Sequence, residues 1–242
     1  MTPTPASRIV KVYVWEAPVR ITHWLIALSI VVLSVTGFYI GSPFIAVPGR
    51  AGDHFVMGWM KVIHGYTAYV FIAAVLARII WMFTGNKYAH WDKFIPVHRS
   101  RLRALWPTFR FYVFALRKPP GFVGHNPLAG LAYVLVFGLY FLAIITGLIM
   151  RGASADADST LRSFVSLAPL FGGLYGARWI HHVVMWLLLG FAVHHVYSSV
   201  LMSTVEANAT VESMFSGNKF VPEEDLTYSG YRFMSRKGEV DE

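Results

Sequence analysis

The chain has 242 residues, 55% hydrophobic and only 14% charged, with a mean hydropathy of +0.50, too apolar for a water-soluble domain of this length. It contains no cysteine, which excludes disulfides, thiolate-ligated iron–sulfur clusters and cysteine nucleophiles. Its net charge of +8 flanks apolar runs and interleaves with aromatic residues, a pattern of membrane orientation and lipid contact rather than nucleic-acid binding.

The N-terminal segment lacks a short apolar stretch followed by a small-residue cleavage site, so the first span reads as an uncleaved signal anchor. That span runs from Ile21 to Ile40 and carries His23; the second, Val62 to Phe83, carries His64 near its start and Arg78 near its end. Both are long enough to cross about 30 Å of hydrocarbon as helices. The loop from Thr84 to Pro127 holds Lys87, Lys93, Arg99, Arg101, Arg103, Arg110, Arg117 and Lys118 against a single acidic residue, Asp92. This excess places the loop in the cytoplasm. The aromatic residues Trp106, Phe109, Phe111, Tyr112 and Phe114 among those charges predict an interfacial amphipathic helix. The third and fourth spans run from Leu128 to Met150 and from Ile180 to Met202. The short alternating segments of a membrane barrel are missing. The expected fold is therefore all-α: an integral, multi-pass four-helix bundle with both termini cytoplasmic. Residues 1–205 form the transmembrane domain and residues 206–242 a cytoplasmic tail.

Histidines carry the chemistry. His181 and His195 are 14 positions apart, a spacing that returns to within about 40° on a helix and separates the two rings by about 21 Å along the axis. Imidazoles on one face of an apolar span, at two depths, suit two stacked haems. Topology sets the partners: His64 and His181 both enter their spans from the outer side, and His23 is the embedded histidine nearest the level of His195. The expected pairs are His64/His181 outside and His23/His195 inside. Two neutral imidazoles facing across a gap between helices can hold a b-type haem, and filling both axial positions leaves electron relay as the chemistry. Zinc fits poorly, because its four ligands must converge at about 2 Å.

Other residues are secondary candidates. Arg78 either snorkels to the interface or bridges to propionates of an inner haem, a role open to Arg20 as well. His125, in GHNP before the third span, is a candidate for quinone or propionate contact. His54, His90 and His98 fall in loops, while His182 and His194 point off the shared face. Gly37 and Gly147, each following a threonine, offer places for a porphyrin or a helix to approach the backbone.

The segments YVWEAPVRITHW, TGFYIGSP, MGWMKVIH, RIIWMFTGN, GHNPLA and MWLLLGFAVHHVY together resemble the cytochrome b subunit of membrane-bound nickel-iron uptake hydrogenases. The membrane subunits of respiratory formate dehydrogenases are wider relatives. The resemblance implies two haems b on His23, His64, His181 and His195 in the pairs given above. It also implies a periplasmic hydrogenase of large nickel-iron and small iron–sulfur subunits docked outside, with menaquinone or ubiquinone as acceptor. Arg178 stands where that family commonly has a further histidine. Two other readings of the chain are the equivalent cytochrome of a formate or thiosulfate dehydrogenase, and a cofactor-free membrane anchor.

Overall fold

The computed structural model describes residues 8–44, 55–97, 99–116 and 121–228. His54, His98 and residues 229–242 of the expected tail lie outside the described residues. Four helices are long and apolar enough to cross a membrane: α1 (Ala17–Gly41), α2 (Val56–Thr84), α4 (Pro127–Ala153) and α5 (Gly173–Glu206). Each overruns its apolar core, because helical hydrogen bonding continues through interfacial residues that hydropathy alone leaves out. The clearest case is α5, which takes in Leu174, Tyr175, Arg178 and Trp179 ahead of the apolar run. Between α2 and α4 lies the expected amphipathic helix, α3 (Arg99–Tyr112).

Helix α1 shows what solvent the spans are built for. Its buried positions include Thr22, Ser29 and Thr36 at a seven-residue spacing, together with Ile26, whereas Leu28, Val31 and Val35 are more than half exposed. Small hydroxyl residues inside and aliphatic residues outside invert the pattern of a water-soluble helix, as expected where the surroundings are hydrocarbon. The Thr36 hydroxyl is satisfied within the helix, Oγ1 donating to the Val32 carbonyl at 2.7 Å.

Local chemistry fixes the helix ends. Asn126 caps α4 by accepting from the Ala129 amide at 2.8 Å, and Pro127 follows at the first helical position, where its missing N–H costs nothing. Before α5, a 3-10 segment (Thr160–Phe171) ends at Gly172, whose φ of 77° a side chain would strain.

The chain divides into two compact units. One comprises residues 21–79 and 138–192, taking in most of α1 and α2, the second part of α4 and the first part of α5, with a small core of Ile149, Ala168 and Ala177. The other gathers the chain ends with residues 80–137 and 193 onward. Its core is Val14, Trp15, Val19, Ala89, Val123 and Val221.

This second unit contains an element that the sequence reading did not anticipate. Strand β1 (Ile9–Tyr13) pairs antiparallel with β2 (Asn218–Pro222), Val10 opposite Val221 and Val12 opposite Lys219. A short helix, α6 (Ser213–Ser216), leads into β2, and Trp15 Nε1 donates to Ser213 Oγ at 3.1 Å. The turn needs Gly217: its φ is 81°, and a Cβ there would stand 2.6 Å from the Trp15 carbonyl oxygen. A last short helix, α7 (Glu223–Tyr228), follows β2.

Candidate functional site

Two of the four candidate ligands, His64 on α2 and His181 on α5, belong to the same unit and lie within electrostatic range of each other. Each is held in the same way. His64 Nδ1 is 2.8 Å from Thr36 Oγ1 on α1, and His181 Nδ1 is 2.9 Å from Thr146 Oγ1 on α4. Each threonine also bonds the carbonyl four residues earlier, Val32 at 2.7 Å and Leu142 at 2.6 Å. Both threonines are buried, Thr36 at 4% exposure and Thr146 at 0%.

The glycine after each threonine faces the same ring. A Cβ on Gly37 would lie 3.5 Å from His64 Cε1, and one on Gly147 would lie 3.3 Å from His181 Cε1. The chain thus brings a Thr-Gly step against each imidazole, one helix of the four supplying each component. A backbone without a side chain lets each imidazole lie close against the neighbouring helix, with its Nδ1 held by the threonine. The residues present therefore fit a bis-imidazole site.

The remaining candidates are placed as follows. His23, in the unit of His64 and His181, packs edge-on against Trp24 with ring centroids 5.2 Å apart. His195 belongs to the other unit, half-buried, and its carbonyl accepts from Ser198 at 3.1 Å. Arg78 is 3% exposed, so its guanidinium is not extended to the surface. Arg20 donates from Nη1 to the Phe215 carbonyl. His182 Nδ1 donates to the Arg178 carbonyl at 2.8 Å, which ties it to its own helix.

His125 lies in an aromatic box. Its ring centroid is 4.6 Å from that of Tyr133, 4.8 Å from Trp15 and 5.3 Å from Phe94. Below it, Arg101 is buried and donates from Nη2 to the Lys93 carbonyl at 2.7 Å and the His125 carbonyl at 3.1 Å. Burial lowers the Arg101 pKa from its ordinary value, partly opposed by Asp92. Arg101, which the sequence reading counts only toward membrane orientation, is thus a structural strut. Glu16 does similar work nearby: one carboxylate oxygen accepts from Trp81 Nε1 and from the Asn86 amide, both at 2.8 Å. Asn86 in turn donates to the Val14 carbonyl at 3.0 Å.

Sequence reasoning missed Thr36 and Thr146 as partners of the histidines. The available signal was the repeated Thr-Gly step itself, at 36–37 and 146–147.

Fold and site together define a four-span membrane protein in which two span histidines, His64 and His181, are each hydrogen-bonded to a buried threonine. The chain belongs to the prokaryotic cytochrome b561 family, whose model matches residues 14–217. It is 39% identical over 210 residues to the "Probable Ni/Fe-hydrogenase B-type cytochrome subunit" of Azotobacter vinelandii, covering 85% of this chain and 87% of that one. The protein of the same description from Cupriavidus necator is 39% identical over 211 residues, covering 85% of each chain. The "Probable Ni/Fe-hydrogenase 1 B-type cytochrome subunit" of Escherichia coli K12 is 34% identical over 217 residues, covering 88% of this chain and 92% of that one.

Proposed function

We propose that this chain is the b-type cytochrome subunit of a nickel-iron hydrogenase. It relays electrons from hydrogen oxidised on the periplasmic side to the quinone pool, menaquinone or ubiquinone. The observation that carries this reading is that relatives aligned over most of both chains bear that description, while His64 and His181 are each held by a buried threonine inside the bundle.

Haem b is the cofactor, two per chain, held by His64/His181 toward the outside and His23/His195 toward the cytoplasm. Haem would supply one-electron chemistry, and two imidazoles as its ligands would leave no open position for oxygen or substrate. This chain's own part is to present neutral imidazoles, to exclude water and to neutralise propionates. For the inner haem the cations are Arg78 and Arg20, and His125 is the candidate contact for a propionate or a quinone. The partners are the small iron–sulfur and large nickel-iron subunits, the membrane lipid and quinone. The bundle sits in the inner membrane with both termini cytoplasmic, residues 1–205 forming its transmembrane domain and 206–242 its cytoplasmic extension.

The test uses membranes in which this chain is present with its native partners. Hydrogen should reduce the b-type visible spectrum, and an added quinone should reoxidise it. Reduction by formate or thiosulfate but not by hydrogen would assign the chain to a different dehydrogenase.

A further inference from the structure

We propose that Thr36 and Thr146 are a matched pair of positioning residues that fix the tautomer of His64 and His181, keeping the proton on Nδ1 and leaving Nε2 as the ligating nitrogen. This rests on the reading of those two histidines as axial ligands of one haem.

The tautomer follows from counting protons. A threonine hydroxyl has a single hydrogen and two lone pairs. At 2.7 Å from the Val32 carbonyl and 2.6 Å from the Leu142 carbonyl, that hydrogen must point at the carbonyl, because two oxygens that close with none between them would repel. Oγ1 therefore has only lone pairs to offer the imidazole. At 2.8 and 2.9 Å the contact to Nδ1 is a hydrogen bond only if Nδ1 carries the proton and donates it, and the Leu33 and Ala143 carbonyls, which also accept from the His64 and His181 rings, call for a ring N–H as well. The neutral ring then has its lone pair on Nε2.

Position supports this assignment. Each ring turns its Nδ1–Cε1 edge to a Thr-Gly step: Cβ atoms added at Gly37 and Gly147 would lie 3.5 and 3.3 Å from Cε1, and 3.9 and 3.8 Å from Nδ1. The two contacts join residues 28 and 35 positions apart in sequence, so neither is a by-product of helix geometry. A donor–acceptor bond on the non-ligating nitrogen fixes ring orientation and makes the ligating nitrogen more basic. A more basic ligand favours the ferric state, so both threonines hold down the reduction potential of the same haem.

The experiment replaces each threonine by valine, which keeps the branched shape and deletes the hydroxyl acceptor while leaving the Leu33 and Ala143 carbonyls beside the rings, and by serine, which restores the hydroxyl. Haem loss from the purified complex to excess apomyoglobin and the redox titration of the b-type spectrum are read together. Thr36→Val and Thr146→Val should each speed haem loss by about 10–100-fold, the usual cost of deleting a partner of a metal ligand. Both should move one titration wave, the same wave in both variants, to more positive potential. Thr36→Ser and Thr146→Ser should return both readouts toward the parent. Parent-like haem loss and potential in both valine variants would overturn the threonine role, as would shifts in different waves. If His64→Ala and His181→Ala retain the full haem complement, the ligand reading fails first and the threonine role falls with it.

Discussion

Glu16, at the foot of α1, accepts the indole N–H of Trp81 at 2.8 Å, a bond that ties the start of the first span to the end of the second across 65 residues of chain. The same oxygen accepts the Asn86 amide, so one carboxylate satisfies two donors of a partly buried junction. Losing the charge weakens both bonds and losing the carboxylate removes them. With each charge-assisted bond contributing about 1.5–3 kcal/mol, Glu16→Ala should destabilise by about 2–4 kcal/mol. Glu16→Gln should lie between that and the parent. Thermal unfolding of the detergent-solubilised protein, monitored by circular dichroism, gives the order; a parent-like Glu16→Ala would remove Glu16 from this role.

The two glycines facing the imidazoles should respond differently to alanine. At Gly37 the added carbon makes an ordinary 3.5 Å contact, whereas at Gly147 it comes within 3.3 Å of His181, a ring that its bond to Thr146 keeps from moving aside. Gly37→Ala should stay within about 0.5 kcal/mol of the parent. Gly147→Ala should cost about 1–3 kcal/mol, the usual range for overpacking, and should perturb the visible spectrum of the bound haem. Equal effects of the two substitutions would argue against a clamped His181.

Lys219 gives the β1–β2 sheet a pH dependence. It is 5% exposed, and burial depresses its pKa below the ordinary lysine range, with Glu206 opposing the shift. In the unfolded chain the ammonium keeps its proton up to about pH 10.4. Between the folded and unfolded values the unfolded chain therefore binds more protons, and stability from this group rises with pH across that interval. Below the folded value the contribution is flat and at its least favourable. Lys219→Met should remove this rise, measured as unfolding temperature across the alkaline range. The same alkaline rise in Lys219→Met would place its origin in another group.

The spans were legible because twenty or so apolar residues in a row have one physical use, and the span histidines stood out as candidates because imidazoles are expensive in hydrocarbon. What composition concealed is the non-local pairing. Nothing in the alternation of Ile9 to Tyr13 announces that its partner is Asn218–Pro222, some 200 residues away, because a two-stranded ladder carries a weak local signal. Arg101 reads as one more basic loop residue until the fold turns its guanidinium onto two carbonyls. The motifs VWEAP, FTGN and GHNP were recognisable as text, and the structure supplies their reason. Glu16, Asn86 and the Trp15–His125 contact belong to one unit, so these segments hold each other in place.

Counting haem decides whether the chain carries a two-haem relay. A pyridine haemochrome assay of the purified protein, with a reduced-minus-oxidised spectrum, is repeated for His64→Ala, His181→Ala and His23→Ala. Two haems b per parent chain are expected, with one lost in each variant. His64→Ala and His181→Ala should remove the same haem and His23→Ala the other. A parent without haem, or variants that keep the full complement, would contradict the two-haem relay.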